Sequence, residues 1–210
     1  MPPIKITPSL LSADFGHLQN EIDRAENAVD GFHFDVMDGH FVPNLTAGAP
    51  VLRKIKSEKP IDAHLMVEKP ELLIDDFAAA GAAAISVHFE ICPHLHRLFQ
   101  KIRAKKMSAG IAINPATSFE AAFEAIKMAD FVLIMSVNPG FGGQKFIPEV
   151  LEKIRKIRRL FPEKDIQIDG GVNAETISDI LNAGANWIVS GSFFWKSENL
   201  KNAAEILRGN

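Results

Sequence analysis

The chain has 210 residues, 47% apolar and 23% charged, with a net charge of −3. That balance is ordinary for a globular protein and leaves no basic footprint for nucleic acid or an anionic membrane. One cysteine, Cys92, excludes an intrachain disulfide, and no apolar run approaches the ~18 residues of a membrane span. The start, Met1-Pro2-Pro3-Ile4, lacks the apolar core of a signal peptide, so the cytoplasm is the expected location.

Short β-branched, apolar runs alternate with amphipathic helical stretches. Strands are expected at 4–10, 32–37, 61–67, 84–89, 109–114, 131–137, 166–169 and 187–190. The first ends in Pro8-Ser9-Leu10-Leu11-Ser12, without the glycine fingerprint usual after the first strand of an open doubly wound sheet. Pro70 suits a first helical turn, and Gly81 the end of that helix. Ile147, Val150, Leu151, Ile154, Ile157 and Leu160 make a one-sided apolar stripe. The basic run 153–159, interleaved with them, reads as the solvated face of the same helix. Asn173 is placed to cap the helix carrying Ile177, Ile180 and Leu181, and Gly184 to end it. Ala80-Gly81-Ala82 and Ala183-Gly184-Ala185 each precede a strand, as though one joint were used twice. Repeated units with no long linker predict a closed α/β barrel, (β/α)8, over residues 1–210 as one domain. In such a barrel chemistry belongs at the C-terminal strand ends, and phosphate after the last strands.

Polar residues stand where a barrel core should be apolar. On the second strand His33, Asp35 and Met37 share one face, because side chains alternate. Buried polar groups are costly unless paired or engaged with a ligand. A core His–Asp hydrogen bond would account for this strand alone. The third strand repeats the pattern with His64 and Met66, and the seventh ends on Asp169. Two imidazoles and two carboxylates at one rim suit a divalent metal, and zinc, iron, manganese and cobalt all fit such donors. Met37, Met66 and Met135 are expected either as core filler or as an apolar shield over a charged intermediate.

Glycines gather late. The sixth strand runs into Gly140-Phe141-Gly142-Gly143, the seventh into Gly170-Gly171, and the eighth into Gly191-Ser192. Glycine lets backbone N–H groups approach an anion closely, and three clusters after the last strands match the barrel's usual phosphate position. Lys145 is a candidate counter-charge or a plain surface lysine.

These stretches together resemble the ribulose-phosphate 3-epimerase family. The resemblance runs nearly end to end through PSLLSADF (8–15), HFDVMDGHFVPN (33–44), DAHLMVEKP (62–70), INPAT (113–117), MSVNPGFGGQKF (135–146), IDGGVN (168–173) and VSGS (189–192). It implies a TIM barrel of the ribulose-phosphate-binding type, a homo-oligomer, and one divalent metal on His33, Asp35, His64 and Asp169. It further implies that Asp35 and Asp169 donate and accept the proton, and that Ser9 and His64 contact the sugar. Gly140, Phe141, Gly142, Gly143, Gly170, Gly171, Gly191 and Ser192 would surround the phosphate, with Met37, Met66 and Met135 as the shield. Alanine at Ala47 and Ala49, and the aromatic run Phe193-Phe194-Trp195, depart from the family pattern away from the proposed ligands.

The implied reaction interconverts D-ribulose 5-phosphate and D-xylulose 5-phosphate, in the pentose phosphate pathway. Removing a proton beside a carbonyl and returning it on the opposite face needs two acids, because one base would return it where it came from. Two alternatives share the fold: an allulose-6-phosphate 3-epimerase, and a phosphosugar-binding barrel without catalysis. Regular SLLSADF, GFGG and DGG segments favour the pentulose enzyme over the former, and the full ligand set argues against the latter. His88 is a candidate to support a ligand from behind, Glu90 has no assigned role, and His94 and His96 are expected on a surface helix.

Overall fold

The computed structural model describes residues 2–210. Eight strands form one parallel sheet: β1 (Lys5–Ile6), β2 (Phe32–Met37), β3 (Ile61–Met66), β4 (Ala84–His88), β5 (Ser108–Ile113), β6 (Phe131–Met135), β7 (Asp165–Asp169) and β8 (Trp187–Val189). Their order is β1-β8-β7-β6-β5-β4-β3-β2, every neighbouring pair being parallel. The two end strands meet at a parallel bridge between Ser9 and His33, where the His33 N–H donates to the Pro8 carbonyl over 3.1 Å. The sheet thereby closes into the (β/α)8 barrel.

β1 is much shorter than the expected 4–10. Pro8 has no N–H to give to a ladder. Beyond it Ser9 Oγ accepts from the Leu11 N–H at 3.2 Å, turning the chain into a 3-10 turn at Leu10–Ser12. The other strands fall within a residue or two of expectation.

The main helices are α1 (Leu18–Ala25), α2 (Ala49–Leu52), α3 (Ile74–Ala79), α4 (Leu95–Ala104), α5 (Phe119–Met128), α6 (Val150–Leu160), α7 (Ile177–Ala183), α8 (Ser192–Trp195) and α9 (Leu200–Leu207). None among the described residues is long and apolar enough to cross a membrane. Alternation along the strands divides the core into two layers. Phe34, Ile85, Ile111, Ile134, Ile168 and Ile188 point outward into the large cluster shared with the helices. Each such side chain stabilises the fold by roughly 1.5–3 kcal/mol on burial. The barrel's interior is closed at the N-terminal end by Phe131 and Trp187, with ring centroids 4.9 Å apart. Gly110 leaves room for the Phe131 ring, which a side chain there would overlap.

The repeated Ala-Gly-Ala joints are the same structure. Gly81 and Gly184 have φ of +91° and +107°. At each, the glycine N–H and the following alanine N–H donate back to carbonyls three and five residues earlier, closing the helix end in a Schellman arrangement.

Three expectations change. The run 153–159 is not simply a solvated face. Lys153 is only 8% exposed and its Nζ donates to the carbonyls of Asn114 and Pro115 at 2.8 and 3.3 Å. Arg158 donates to the carbonyls of Gly184, Pro162 and Lys164 and to Asn186 Oδ1, so only Arg155 and Arg159 of its arginines stay exposed. Long basic side chains carry apolar stems that pack while the head finds carbonyls. Leu160, counted in the apolar stripe, is 53% exposed because it lies at the frayed end of α6. Asn173 does not cap α7 directly. Its Oδ1 accepts from the N–H groups of Glu175 and Thr176, ordering the turn that leads into α7, and Thr176 occupies the cap position.

Candidate active site

Four strands each carry two polar residues, two positions apart, on the face turned into the barrel: His33 and Asp35 on β2, Asp62 and His64 on β3, Ser86 and His88 on β4, Gln167 and Asp169 on β7. All are buried except Asp169, which is partly open to the cavity. The β2–β3 register sets His33 beside Asp62 and Asp35 beside His64. The result is two stacked polar tiers.

In the lower tier Asp62 Oδ2 lies 2.5 Å from His33 Nδ1 and accepts from Gln167 Nε2 at 3.0 Å. An ionised carboxylate only accepts, so His33 Nδ1 carries a hydrogen; burial opposes a second proton on this ring, but the Asp62 and Asp35 charges beside it prevail and raise its affinity for one. In the upper tier Ser9 Oγ donates to Asp35 Oδ2 over 2.5 Å, and Asp35 Oδ1 faces His64 Nδ1 at 3.1 Å and His33 Nε2 at 3.3 Å. One ligand atom from each of His33, Asp35, His64 and Asp169 lies within 4.8 Å of all the others. His33 Nε2 is fully buried and has no hydrogen-bond partner among the described residues. A buried imidazole nitrogen left without a hydrogen-bond partner beside two carboxylates is a costly arrangement for folding alone. It fits a divalent cation.

The two carboxyls are driven in opposite directions. Burial alone would raise Asp35, but the His33 imidazole beside it and the His64 hydrogen bond prevail and hold it well below the usual carboxylate range. Burial, reinforced by the Asp35 charge, pushes Asp169 up to about 7. Carboxyls so separated suit one as proton acceptor and one as proton donor near neutral pH.

These groups open on a cavity of about 530 Å³ at the C-terminal end of the barrel. Ser9, Asp35, Asp169, Met37, Met66 and Met135 form one part of its wall. Gly140, Phe141, Gly142, Gly143, Gly170, Gly171, Gly191 and Ser192 form another. His33 and His64 do not line it, being buried behind Asp35. The three methionines fall into two apolar clusters, Met37 with Met66 and Met135 with Val137, on either side of the acid pair.

Three glycines on this wall serve close approach as well as turning; a Cβ at Gly170, whose φ is +116°, would overlap the Val137 side chain. A Cβ at Gly171, whose φ is +65°, would sit 2.6 Å from the Phe146 backbone nitrogen. One at Gly191 would sit 2.6 Å from Ser12 Oγ. Ser136 Oγ donates to the carbonyls of Asp169 and Gly170 at 2.9 and 2.7 Å, fixing the bend after β7. Gln144 Nε2 clips the β6 loop onto itself through the carbonyls of Asn138 and Phe141.

Lys145 is exposed and lies off the cavity; the cation on its wall is Lys196, which the sequence reading overlooked. Also overlooked were Ser12 and Asn173 on the wall, and Asp62 and Gln167 below it. The lower pair had a signal: each stands two residues before a proposed ligand in a strand. His94 and His96 are exposed on or beside α4, as expected.

The sequence profile of the ribulose-phosphate 3 epimerase family matches residues 5–195. The chain is 46% identical to ribulose-phosphate 3-epimerase of Bacillus subtilis, covering 98% of this chain and 99% of that one. It is 45% identical to the cytoplasmic isoform of that enzyme from rice, over 90% and 86% of the two chains. A mutant tryptophan synthase α-subunit from Pyrococcus furiosus superposes with a TM-score of 0.75 over the full length of both chains, at 18% identity, a likeness of fold alone. With the profile spanning nearly the whole chain and relatives this similar, the chain belongs to the ribulose-phosphate 3-epimerase family, enzymes of the isomerase class.

Proposed function

We propose that residues 1–210 act as one catalytic domain that interconverts D-ribulose 5-phosphate and D-xylulose 5-phosphate, with Asp35 and Asp169 exchanging the C3 proton. The observation that carries this reading is the acid pair: two carboxyls from β2 and β7 on one cavity, their affinities for a proton pushed apart by their surroundings. One carboxylate takes the proton from one face of C3. The other, as the acid, returns a proton to the opposite face, and the roles exchange in the reverse direction. Ser9 holds Asp35 Oδ2 so that the carboxylate meets the substrate in one orientation. Met37, Met66 and Met135 keep water from the enediolate and deny it competing proton donors. The glycine loops after β6, β7 and β8 offer backbone N–H groups to the phosphate, and Lys196 adds a positive charge at the same wall.

A divalent metal held by His33, Asp35, His64 and Asp169 would supply Lewis-acid stabilisation of the charge developing on the ketose oxygens. Zinc, iron, manganese and cobalt all suit this donor set. The single cysteine and the rice relative's name support a cytoplasmic site of action.

Asp35→Asn and Asp169→Asn should each lower kcat on ribulose 5-phosphate by about 10³-fold or more while leaving the circular dichroism spectrum unchanged. Near-normal turnover in either variant would overturn the two-acid reading. A higher kcat/KM on allulose 6-phosphate than on ribulose 5-phosphate would overturn the substrate assignment.

A further inference from the structure

A chain of hydrogen bonds runs from the cluster through residues that do not line the cavity. His64 Nδ1 faces Asp35 Oδ1 at 3.1 Å, and its other nitrogen, Nε2, lies 2.9 Å from His88 Nε2. Two nitrogens that close must share one hydrogen between a donor and an acceptor. The far nitrogen of His88, Nδ1, is 3.2 Å from Glu90 Oε2. The other oxygen of Glu90 accepts from the Asn114 N–H at 2.9 Å and from Thr117 Oγ1 at 2.5 Å. Glu90 is thus held in place as an acceptor from three sides.

We infer that Glu90, acting through His88, dictates which nitrogen of His64 is bare, and so serves as a positioning residue for the metal and proton-transfer cluster. The inference rests on the reading of His64 as a ligand. A carboxylate accepts only, so His88 Nδ1 carries the hydrogen and the neutral imidazole is bare at Nε2. His64 Nε2 then donates and His64 is bare at Nδ1; the Asp35 carboxylate 3.1 Å from that nitrogen draws the hydrogen the other way, so Glu90 and Asp35 compete for the tautomer, and a cation at the cluster favours the Glu90 arrangement. Phe41 packs over His88 with ring centroids 4.6 Å apart and holds its plane.

The two imidazoles are therefore aimed by different devices. His33 is aimed directly, by a carboxylate buried in the barrel. His64 is aimed at one remove, through a second imidazole, by a carboxylate at the half-exposed β4 rim. Groups behind a ligand that fix its tautomer commonly change metal affinity about 10–100-fold when lost.

The test uses the full-length protein and the variants Glu90→Gln, His88→Gln and His88→Leu. Long-range nitrogen–proton NMR of the zinc-loaded wild type should show His64 protonated at Nε2 and His88 at Nδ1. A glutamine at 90 can donate as well as accept, so Glu90→Gln should mix the His88 tautomers and weaken zinc binding about 10–100-fold in chelator competition. The amide oxygen in His88→Gln can still accept from His64 Nε2, so this variant should bind zinc more tightly than His88→Leu. A wild-type His88 protonated at Nε2, or a Glu90→Gln protein with unchanged tautomers and zinc affinity, would overturn the inference. Failure of the wild type to bind one equivalent of zinc would instead overturn the ligand reading, and the NMR signature separates the two failures.

Discussion

Along β2 and β3, four ionisable side chains lie almost wholly out of water, each held by named partners; after β6, β7 and β8 the same cavity is walled by three runs of glycine. The first wall acts through side chains and the second through backbone. Charge that must face one point needs a support behind it, so β2 and β3 carry two polar tiers, and the lower tier exists to aim the upper. An anion needs close approach, so the second wall presents backbone at its glycines, beside a few side chains such as Phe141, Ser192 and Lys196. Substitutions should therefore fail differently on the two sides: on the first by leaving partners unsatisfied, on the second by filling space.

The sharpest way to break this contrast is Asp62→Ala. It touches no part of the cavity wall, yet it strands His33 Nδ1–H and the Gln167 amide in the barrel. Removing one partner of a buried charged network typically costs about 3–5 kcal/mol. Urea unfolding should read that loss, together with weakened zinc binding; an unchanged midpoint would mean the lower tier is idle. On the glycine wall, Gly171→Ala should cost about 2 kcal/mol or more and raise KM, because its Cβ would press on the Phe146 backbone at 2.6 Å. Gly143→Ala shares the positive φ, +75°, but meets nothing within 4 Å, so it should cost only about 1–2 kcal/mol. Equal losses at the two glycines would show that conformation, not space, is what that wall needs.

The smallest effect is a matter of pH. In the metal-free protein burial and the Asp35 charge hold the Asp169 carboxyl at about 7, above its ordinary value of 3.8. The folded state then binds this proton more tightly than the unfolded state does. Stability from this group is fully present below about pH 4 and is lost as the pH climbs through about 7. Metal-free Asp169→Asn lacks that loss. It should melt a few degrees above metal-free wild type at about pH 8, with the gap narrowing toward about pH 5, as read by calorimetry. A gap independent of pH would mean that Asp169 is not the group titrating.

The proposed ligands were legible in the sequence because a polar residue with period two is conspicuous inside an apolar strand, as in His33-Phe34-Asp35. The strands and the Gly81 and Gly184 joints were legible for similar local reasons. Asp62 and Gln167 carried the same period-two signal ahead of His64 and Asp169, but their shared hydrogen bond is decided by the β2–β3 register and by closure bringing β7 across the barrel, which no local pattern records. Lys153 and Arg158 look like any helical surface cations until carbonyls from other loops arrive above them. Lys196 replaces Lys145 for the same reason: reach to the cavity depends on where α8 lands. β1 was overestimated because only Lys5 and Ile6 keep a continuous ladder to β8, although Thr7 and Ser9 still donate to the Ile188 and Ser190 carbonyls beyond it.

Ser9 sits on the seam where β1 meets β2, and its surroundings bind the two ends of synthesis together. Its N–H donates to the Ser190 carbonyl at 3.1 Å, and its own carbonyl accepts from Trp195 Nε1 at 2.7 Å. The hydroxyl that orients Asp35 is therefore anchored by residues the ribosome adds some 180 positions later. A nascent chain that has completed β2 to β6 still lacks both anchors of this hydroxyl's backbone. Catalytic competence should thus arrive late and all at once, with the last strand acting as the latch that arms the first.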